Sequence, residues 1–138
     1  MSLDNIKFQI KHIEILEFSF KHPNRNFPEN SRFRFDMHLK QSFNLEEESV
    51  IVISQYKVFY DDEKEQIANA EISCTFHLYD LKQFSGGSTK ISLPEQLTTI
   101  LNSISISTCR GVLFSLFRGT PLHTVILPIV DPKEIKKE

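Results

Sequence analysis

The chain contains no tryptophan, only four glycines and only two cysteines, and neither sign of charge dominates it. With 16 basic and 18 acidic side chains the net charge is -2, so the chain lacks the basic footprint typical of nucleic-acid-binding proteins. Cys74 and Cys109 lie far apart and outside any Cys-x-x-Cys pattern, which predicts two reduced, buried thiols. We therefore expect no nucleic-acid partner and no bound metal.

Long apolar runs are missing too. No stretch approaches the roughly 20 apolar residues needed to cross a bilayer. Residues 1–15 alternate between polar and apolar and lack the apolar centre of a secretory signal. We therefore expect a cytoplasmic protein with no membrane insertion. A length of 138 residues suffices for a sizeable core, and no repeat or linker divides it, so we expect a single domain over residues 1–138.

Motifs that carry chemistry are absent as well. The sequence has no glycine-rich phosphate loop and no Gly-x-Ser-x-Gly. His38 and His77 fall on the polar faces of two predicted strands and could meet across a sheet to bind a metal, although a solvated sheet face is the simpler interpretation. Cys109 beside Arg110 could be an activated thiol, but adjacent helical residues point in different directions. We expect no enzymatic activity and no cofactor.

Alternation of apolar and polar residues predicts four strands. It is clearest at residues 33–41, and it returns at 68–78 after a polar turn. Residues 50–60 are apolar on both faces, which is typical of an interior strand. In residues 8–20 the alternating frame slips, as a bulge or a strong twist allows. Short polar connections, among them residues 46–48, favour antiparallel pairing.

The pattern changes after Gly86-Gly87. Pro94 followed by Glu95 is typical of a helix start. Residues 103–107 alternate like a strand and include poor helix formers, but the span is too long for one strand. We predict a helix that ends at Gly119-Thr120 and an α+β fold with segregated layers. Its apolar face is predicted to contain Leu97, Ile100, Leu101, Ile104, Thr108, Gly111, Val112 and Ser115.

Three segments in the last third of the chain resemble the SecB protein-export chaperone family: CRGVLF at 109–114, RGTP at 118–121 and LPI at 127–129. In that family a long helix carrying an arginine ends in Gly-Thr, and a Pro-Val/Ile pair follows nine residues after the glycine. Gly119 and Pro128 keep this spacing. EFSF at 17–20 and AEI at 70–72 resemble two of the family's strand segments. Within this family, the chain resembles the shorter, divergent SecB-like proteins, including those linked to toxin–antitoxin systems, more than the main export branch.

The resemblance implies a four-stranded antiparallel sheet packed with a long helix, a homotetramer built as a dimer of dimers, and a groove for unfolded preproteins. Rows of apolar side chains suit sequence-tolerant binding of extended chains. The predicted client-binding residues form two such rows, which are Phe33, Phe35, Met37 and Leu39, and Ala70, Ile72, Cys74 and Phe76. Most of them could equally form the core under the helix, with only those at the edge of the layer lining a groove.

The resemblance also implies docking to the SecA motor. Glu17 and Glu71 match two positions of the family's acidic docking surface. Lys21 stands where the family has a second acid, and residues 133–138 do not resemble the family's acidic C-terminal extension. These departures leave SecA docking open.

We therefore expect an ATP-independent holdase for unfolded proteins, acting in protein export. Two alternatives remain from the sequence. One is a chaperone dedicated to a single partner such as an antitoxin. The other is a non-chaperone interaction domain that has retained the fold.

Overall fold

The computed structural model describes residues 5–21, 27, 31–60, 65–86, 90–129 and 136–137. The fold is α+β, with a four-stranded antiparallel sheet and one long helix, as the sequence predicted. A two-residue strand joins the sheet near the C-terminus. The elements are β1 (Phe8–Phe20), β2 (Phe33–Asn44), β3 (Ser49–Tyr60), β4 (Gln66–Leu78), a 3-10 helix (Leu81–Phe84), α1 (Glu95–Leu116) and β5 (Lys136–Lys137).

The strands lie in the order β1-β4-β3-β2-β5. The pairs β1–β4, β4–β3 and β3–β2 are antiparallel, whereas β5 runs parallel to β2 and pairs with it at His38 and Leu39. Since β3 and β4 lie in the middle, their side chains on the helix side are shielded by strands on both flanks as well as by α1. This accounts for the apolar side chains on the helix side of β3, whereas those on its opposite face, Ile51, Ile53 and Phe59, are only half-buried.

The turn between β2 and β3 does more than connect them. Glu48 has a positive φ of 51°, and its backbone carbonyl accepts a hydrogen bond from the Leu78 amide at 2.8 Å. Its carboxylate accepts a second one from the Leu81 amide at 3.2 Å. The acidic run at 46–48 therefore includes one residue that holds the end of β4 and the start of the 3-10 helix in place.

The frame slip in the first strand is produced by two bulges. The β1–β4 register shifts between Ile10 and His12 and again between Ile15 and Glu17. Each shift inserts one unpaired residue, so the apolar side chains on either side of it stay on the same face of the sheet. Leu16 is the inserted residue at the second bulge and is 48% exposed. The expectation of a bulge is confirmed.

Helix α1 packs on one face of the central strands β3 and β4. Residues that alternate along these strands are buried under it. The opposite face of β4 carries mostly polar side chains, whereas that of β3 is mixed. Among the residues that the structure describes, no helix is long and apolar enough to cross a membrane. The buried side chains on the helix side of the two central strands are Val50, Val52, Ser54, Tyr56, Val58, Ala68, Ala70, Ile72, Cys74, Phe76 and Leu78.

The predicted apolar face of the helix is only partly right. Of that set Leu97 and Leu101 are buried, Ile104 and Val112 pack partly buried against the core, and Gly111 and Ser115 are exposed. Small side chains such as Ser105 and Cys109 face the sheet because they allow the helix backbone to approach it closely. The larger Ile100, Ile104 and Val112 form a second, half-buried stripe. The side chains that do face the core are Leu97, Leu101, Asn102, Ser105, Ile106, Cys109 and Leu113.

The chain reverses direction after α1 at Gly119 and Thr120. Gly119 has φ 81°, a conformation that side chains with a Cβ rarely adopt. The Thr120 hydroxyl donates to the Phe117 carbonyl at 2.7 Å and accepts from the Leu122 amide at 3.1 Å. Residues 121–129 then return beside the helix, with Leu122 and Leu127 buried.

Candidate functional site

A groove with a volume of about 1000 Å³ lies between the first half of β2 and the segment that follows the helix. Phe33, Phe35 and Met37 form its floor, because alternate residues of a strand point to the same face. The opposite wall comes from the returning segment, and polar atoms from Ser31, His123 and Thr124 lie at the rim. The apolar residues of that wall are Pro121, Val125, Ile126 and Pro128.

An aromatic cluster closes one end of the groove. The Phe27 ring stacks on the Tyr60 ring with centroids 4.6 Å apart and an interplanar angle of 21°. Phe33 meets both rings edge-on, at 5.2 Å from Phe27 and 5.7 Å from Tyr60. Edge-to-face and offset aromatic pairs are favourable beyond the area they bury, so Phe33 is held in position before any ligand arrives.

The charged residue of the groove is neutralised locally. The Arg34 guanidinium lies 4.4 Å from the centre of the Phe59 ring, and its Nε is 3.5 Å from a carboxylate oxygen of Asp36. Both side chains of this ion pair are roughly half exposed, so the pair contributes little to stability. The groove therefore has an apolar floor and wall, a polar rim, and one charged side chain, Arg34, that is paired with Asp36.

The outer wall is attached to the helix through one arginine. Arg110 donates from Nε to the Leu127 carbonyl at 2.8 Å and from a terminal nitrogen to the Pro128 carbonyl at 3.1 Å. Leu127 is itself buried, so the segment is fixed both by an apolar side chain and by hydrogen bonds to its backbone. Ile126 lies beside these attachments and remains 58% exposed on the groove side.

The structure separates the eight predicted client-binding residues into two groups. Phe33, Phe35 and Met37 line the groove and are half-buried. The other five lie in the core, where α1 covers them: Leu39, Ala70, Ile72, Cys74 and Phe76 are each 2% exposed or less. Core placement was the alternative that the sequence had left open. The groove wall at 121–128 was missed, and the only signal for it was the apolar segment after the Gly-Thr turn.

A second apolar surface lies along β1. Ile10, Ile13 and Ile15 are 42–50% exposed, although they are paired with core residues of β4. They lie on the helix side of the sheet, but α1 packs mainly over β3 and β4 and leaves this edge uncovered. The edge strand therefore carries a row of aliphatic side chains beside backbone groups that no described residue pairs.

The two predicted SecA-docking residues lie directly opposite each other on the other face of the sheet. Glu17 on β1 pairs in register with Glu71 on β4, and a Glu17 carboxylate oxygen accepts a hydrogen bond from Asn69 Nδ2 at 3.1 Å. Lys21 is engaged elsewhere, with its amine 3.3 Å from Glu65. A small acidic pair therefore exists on this face, with the lysine at its end paired to a different acid.

The structure does not bring His38 and His77 together. His38 is aligned with Gln55 on β3, and His77 with Ser49 on the same strand. Six residues of strand separate these positions, which is about 20 Å along the sheet. The His77 ring instead packs edge-on against Tyr79 at 4.3 Å. Within the described parts of the chain, no group of three or more potential metal ligands is assembled.

Comparisons with known proteins identify the type of fold. No family model and no curated protein matches the sequence. Among solved structures, a SecB-like chaperone of Mycobacterium tuberculosis, determined with a ChAD peptide from the HigA1 antitoxin, matches with a TM-score of 0.66 and 13% identity over 89% of each chain. A protein of unknown function from Streptococcus agalactiae matches with a TM-score of 0.31 and 13% identity, over 90% of this chain and 98% of that one. The first of these similarities shows that the chain has a SecB-like fold.

Proposed function

We propose that this SecB-like chain is a non-enzymatic, ATP-independent holdase, which binds extended apolar segments of unfolded proteins in the groove beside β2. The observation that carries the proposal is the arrangement of Phe33, Phe35 and Met37 opposite Val125 and Ile126, with no concentrated charge between them. Such a trough offers apolar area without demanding a particular hydrogen-bonding pattern, so it suits clients of varied sequence.

The fold similarity supports the same role. The Mycobacterium tuberculosis protein with this fold was solved with a peptide bound. An extended client could place alternate side chains in the groove while its backbone runs beside β2, the mode by which exposed strands recognise peptides. The proposed setting is the cytoplasm, where newly made chains are unfolded, and delivery for export is the proposed outcome.

A dedicated role fits the groove equally well. The peptide in the mycobacterial structure comes from an antitoxin, so we keep a chaperone for one antitoxin as the second candidate. The two candidate functions predict different ranges of client proteins. A general holdase suppresses the aggregation of several unrelated unfolded proteins, whereas a dedicated one acts on a single partner and leaves the others to aggregate.

Assembly and SecA docking belong to the same proposal. The exposed row of Ile10, Ile13 and Ile15 on an edge strand, and the half-buried stripe on α1, are two apolar surfaces through which copies of the chain could form a dimer of dimers. SecA docking would use the Glu17–Glu71 pair. Because Lys21 is paired with Glu65, its positive charge is partly offset rather than free to repel a basic partner.

The decisive experiment is light scattering of chemically unfolded clients diluted into buffer without ATP, with and without the protein. Ile126→Ser removes apolar area from the groove at a position that is already 58% exposed, so the fold is retained. Phe35→Ser removes floor area. We expect each to weaken client capture by about tenfold to a hundredfold, because an apolar side chain that leaves water contributes about 1.5–3 kcal/mol.

Phe43→Ser is the matched control, since Phe43 lies on the same strand, is 37% exposed and does not line the groove. It should capture clients as the unmodified chain does, and thermal unfolding should verify that all three variants fold. Unchanged aggregation of several unrelated clients in the presence of the unmodified protein would contradict the general holdase. Equal capture by the Ile126 and Phe43 variants would contradict the groove as the binding site.

A further inference from the structure

The outer edge of β2 is covered in part by the chain's own strand β5. Strand β5 (Lys136–Lys137) runs parallel to β2 and pairs with it at His38 and Leu39. Within the described parts of the chain, no other strand pairs with this edge of β2. Since β2 spans 12 residues, β5 covers only a short part of it, and the covered positions begin directly after Met37, where the floor of the groove ends.

The groove floor and the covered edge belong to one continuous stretch of β2. Phe33, Phe35 and Met37 line the groove, and successive residues of a strand are spaced about 3.3 Å apart. A client backbone that runs beside residues 33–37 therefore spans about 17 Å, and one that extends by about two more residues meets β5. An extended client of this length and β5 compete for the same backbone groups of β2.

The length and composition of β5 are typical of a strand that protects an edge. An uncovered edge strand pairs readily with other extended chains, and proteins limit this pairing with very short edge strands and with lysine. Strand β5 has two residues, and both are lysines. Two paired positions supply few backbone hydrogen bonds, and lysine is among the residue types least suited to burial. A client that also brings apolar side chains into the groove can therefore displace β5.

We propose that β5 is an autoinhibitory strand, which covers the β2 edge until an extended client displaces it. The inference rests on the proposed holdase function and adds a regulatory step to the same groove. In the free protein β5 is held near the edge by its own chain, so that it pairs at high effective concentration and keeps other extended chains from adding to the sheet. A client with alternating apolar side chains replaces it, because strand addition combines main-chain pairing with contacts in the groove.

Two sets of substitutions change the pairing of β5 in opposite directions. Lys136→Pro combined with Lys137→Pro removes both backbone N–H groups of the strand, which releases the β2 edge. His38→Cys combined with Lys136→Cys places thiols at aligned positions of neighbouring strands, whose Cα atoms lie about 4.8 Å apart, a distance that a disulfide spans. Oxidation then locks β5 onto β2, and dithiothreitol releases it. Lys136→Ala combined with Lys137→Ala is the matched control, because it removes both charges and keeps both N–H groups.

The measurement is the fluorescence anisotropy of a labelled peptide of about nine residues with alternating leucine and serine, which is long enough to reach past Met37 to the positions of β5. We expect the proline variant to bind it about threefold to tenfold more tightly than the unmodified protein, since apparent affinity falls with the fraction of binding-competent molecules. The oxidised cysteine variant should bind about tenfold more weakly than its reduced form. The alanine variant should bind as the unmodified protein does, and thermal unfolding should verify that all variants fold.

The possible contrary results separate this inference from the proposed function. If the two introduced cysteines form no disulfide under mild oxidation, β5 does not lie on β2 and the inference is wrong, whatever the protein binds. If the unmodified protein binds the peptide but neither the proline substitutions nor oxidation changes the affinity, the groove is a binding site and β5 does not inhibit it. If neither the unmodified protein nor any variant binds the peptide, the holdase function is contradicted and the inference that rests on it fails with it.

Discussion

Arg110 and Leu127 are joined by a hydrogen bond of 2.8 Å from the arginine Nε to the leucine carbonyl. The same guanidinium reaches the next carbonyl, that of Pro128, at 3.1 Å. This relationship explains why an arginine in the second half of the helix is paired with a Leu-Pro segment 17 residues later. The arginine determines where the outer wall of the groove lies, although its own side chain is not part of the lining.

Replacing Arg110 should therefore affect both stability and client capture. Arg110→Ala removes two hydrogen bonds from a charged donor, which together contribute about 1.5–3 kcal/mol. Arg110→Lys cannot donate to both carbonyls, because an ammonium group lacks the planar fork of a guanidinium. Its stability and its client capture should lie between those of the unmodified protein and those of Arg110→Ala. Urea unfolding and the client-scattering assay measure the two effects. Arg118→Ala is the control, because Arg118 is exposed and only lies 5.7 Å from the Phe114 ring. Equal losses at Arg110 and Arg118 would refute the anchoring role.

Tyr56→Phe should leave the protein as stable as before, or raise its free energy of unfolding by about 1 kcal/mol. The Tyr56 hydroxyl is buried without a well-formed hydrogen bond, and burying such a group costs free energy that a phenylalanine does not incur. Chemical denaturation at pH 8 measures the difference. A loss of stability above about 1 kcal/mol would show that the Tyr56 hydroxyl makes a favourable contact in the core.

The same substitution should change the response to alkali. Burial raises the pKa of Tyr56 well above its ordinary value of 10, so the folded state keeps the phenol proton where the unfolded state releases it. The free energy of unfolding of the unmodified protein therefore falls as the pH rises above 10. We expect the phenylalanine variant to lose less stability than the unmodified protein between pH 9 and pH 11 (roughly one pH unit on either side of the ordinary tyrosine pKa). Tyr79→Phe, at an exposed position, should not reproduce this protection.

Glu71→Gln should increase stability slightly. Glu71 lies directly opposite Glu17, and like charges opposite each other on neighbouring strands are unfavourable by about 0.2–1 kcal/mol. Because salt screens this repulsion, the gain should shrink when Tm is measured at high ionic strength. Glu14→Gln is the matched control, since Glu14 lies opposite Ser73. No gain at low salt would mean that the two carboxylates do not repel each other in the folded protein.

Two glycines, one inside the helix and one just after it, should respond in opposite directions to alanine. Gly111 lies inside α1 with open space where the Cβ of an alanine would stand, so Gly111→Ala should stabilise by about 0.5–1 kcal/mol. Gly119 has equal space but φ 81°, so Gly119→Ala should destabilise by about 1–2 kcal/mol. Equilibrium unfolding of both variants gives the comparison. Changes of the same sign would contradict the backbone argument.

Much of the architecture could be predicted from local pattern. Alternation at residues 33–41 and 68–78 locates β2 and β4, and the frame slip in residues 8–20 corresponds to the two bulges of β1. The face of α1 that packs on the sheet was not predictable in the same way. Apolarity favoured Ile100, Ile104 and Val112, but the helix approaches the sheet through the smaller Ser105 and Cys109. Close approach of two backbones depends on the partner surface, which a helical period does not contain.

The candidate site, too, was only partly predictable from the sequence. Phe33, Phe35 and Met37 could be picked out by alternation, yet Ala70, Ile72, Cys74 and Phe76 follow the same pattern and lie in the core. Which row of side chains is accessible depends on where the helix lies. Helix α1 covers β3 and β4, whereas the first half of β2 faces the segment that returns after Gly119 and lines the groove with it.

The sequence by itself determined the four long strands, the antiparallel character of their pairing, the long helix and the turn that follows it, because alternation, helical spacing and glycine conformation are properties of neighbouring residues. Tertiary structure alone decided the groove wall opposite β2, the burial of one apolar row and the exposure of the other, and the separation of His38 from His77. These depend on distances between residues remote in the chain, and such distances are set by packing rather than by any local preference.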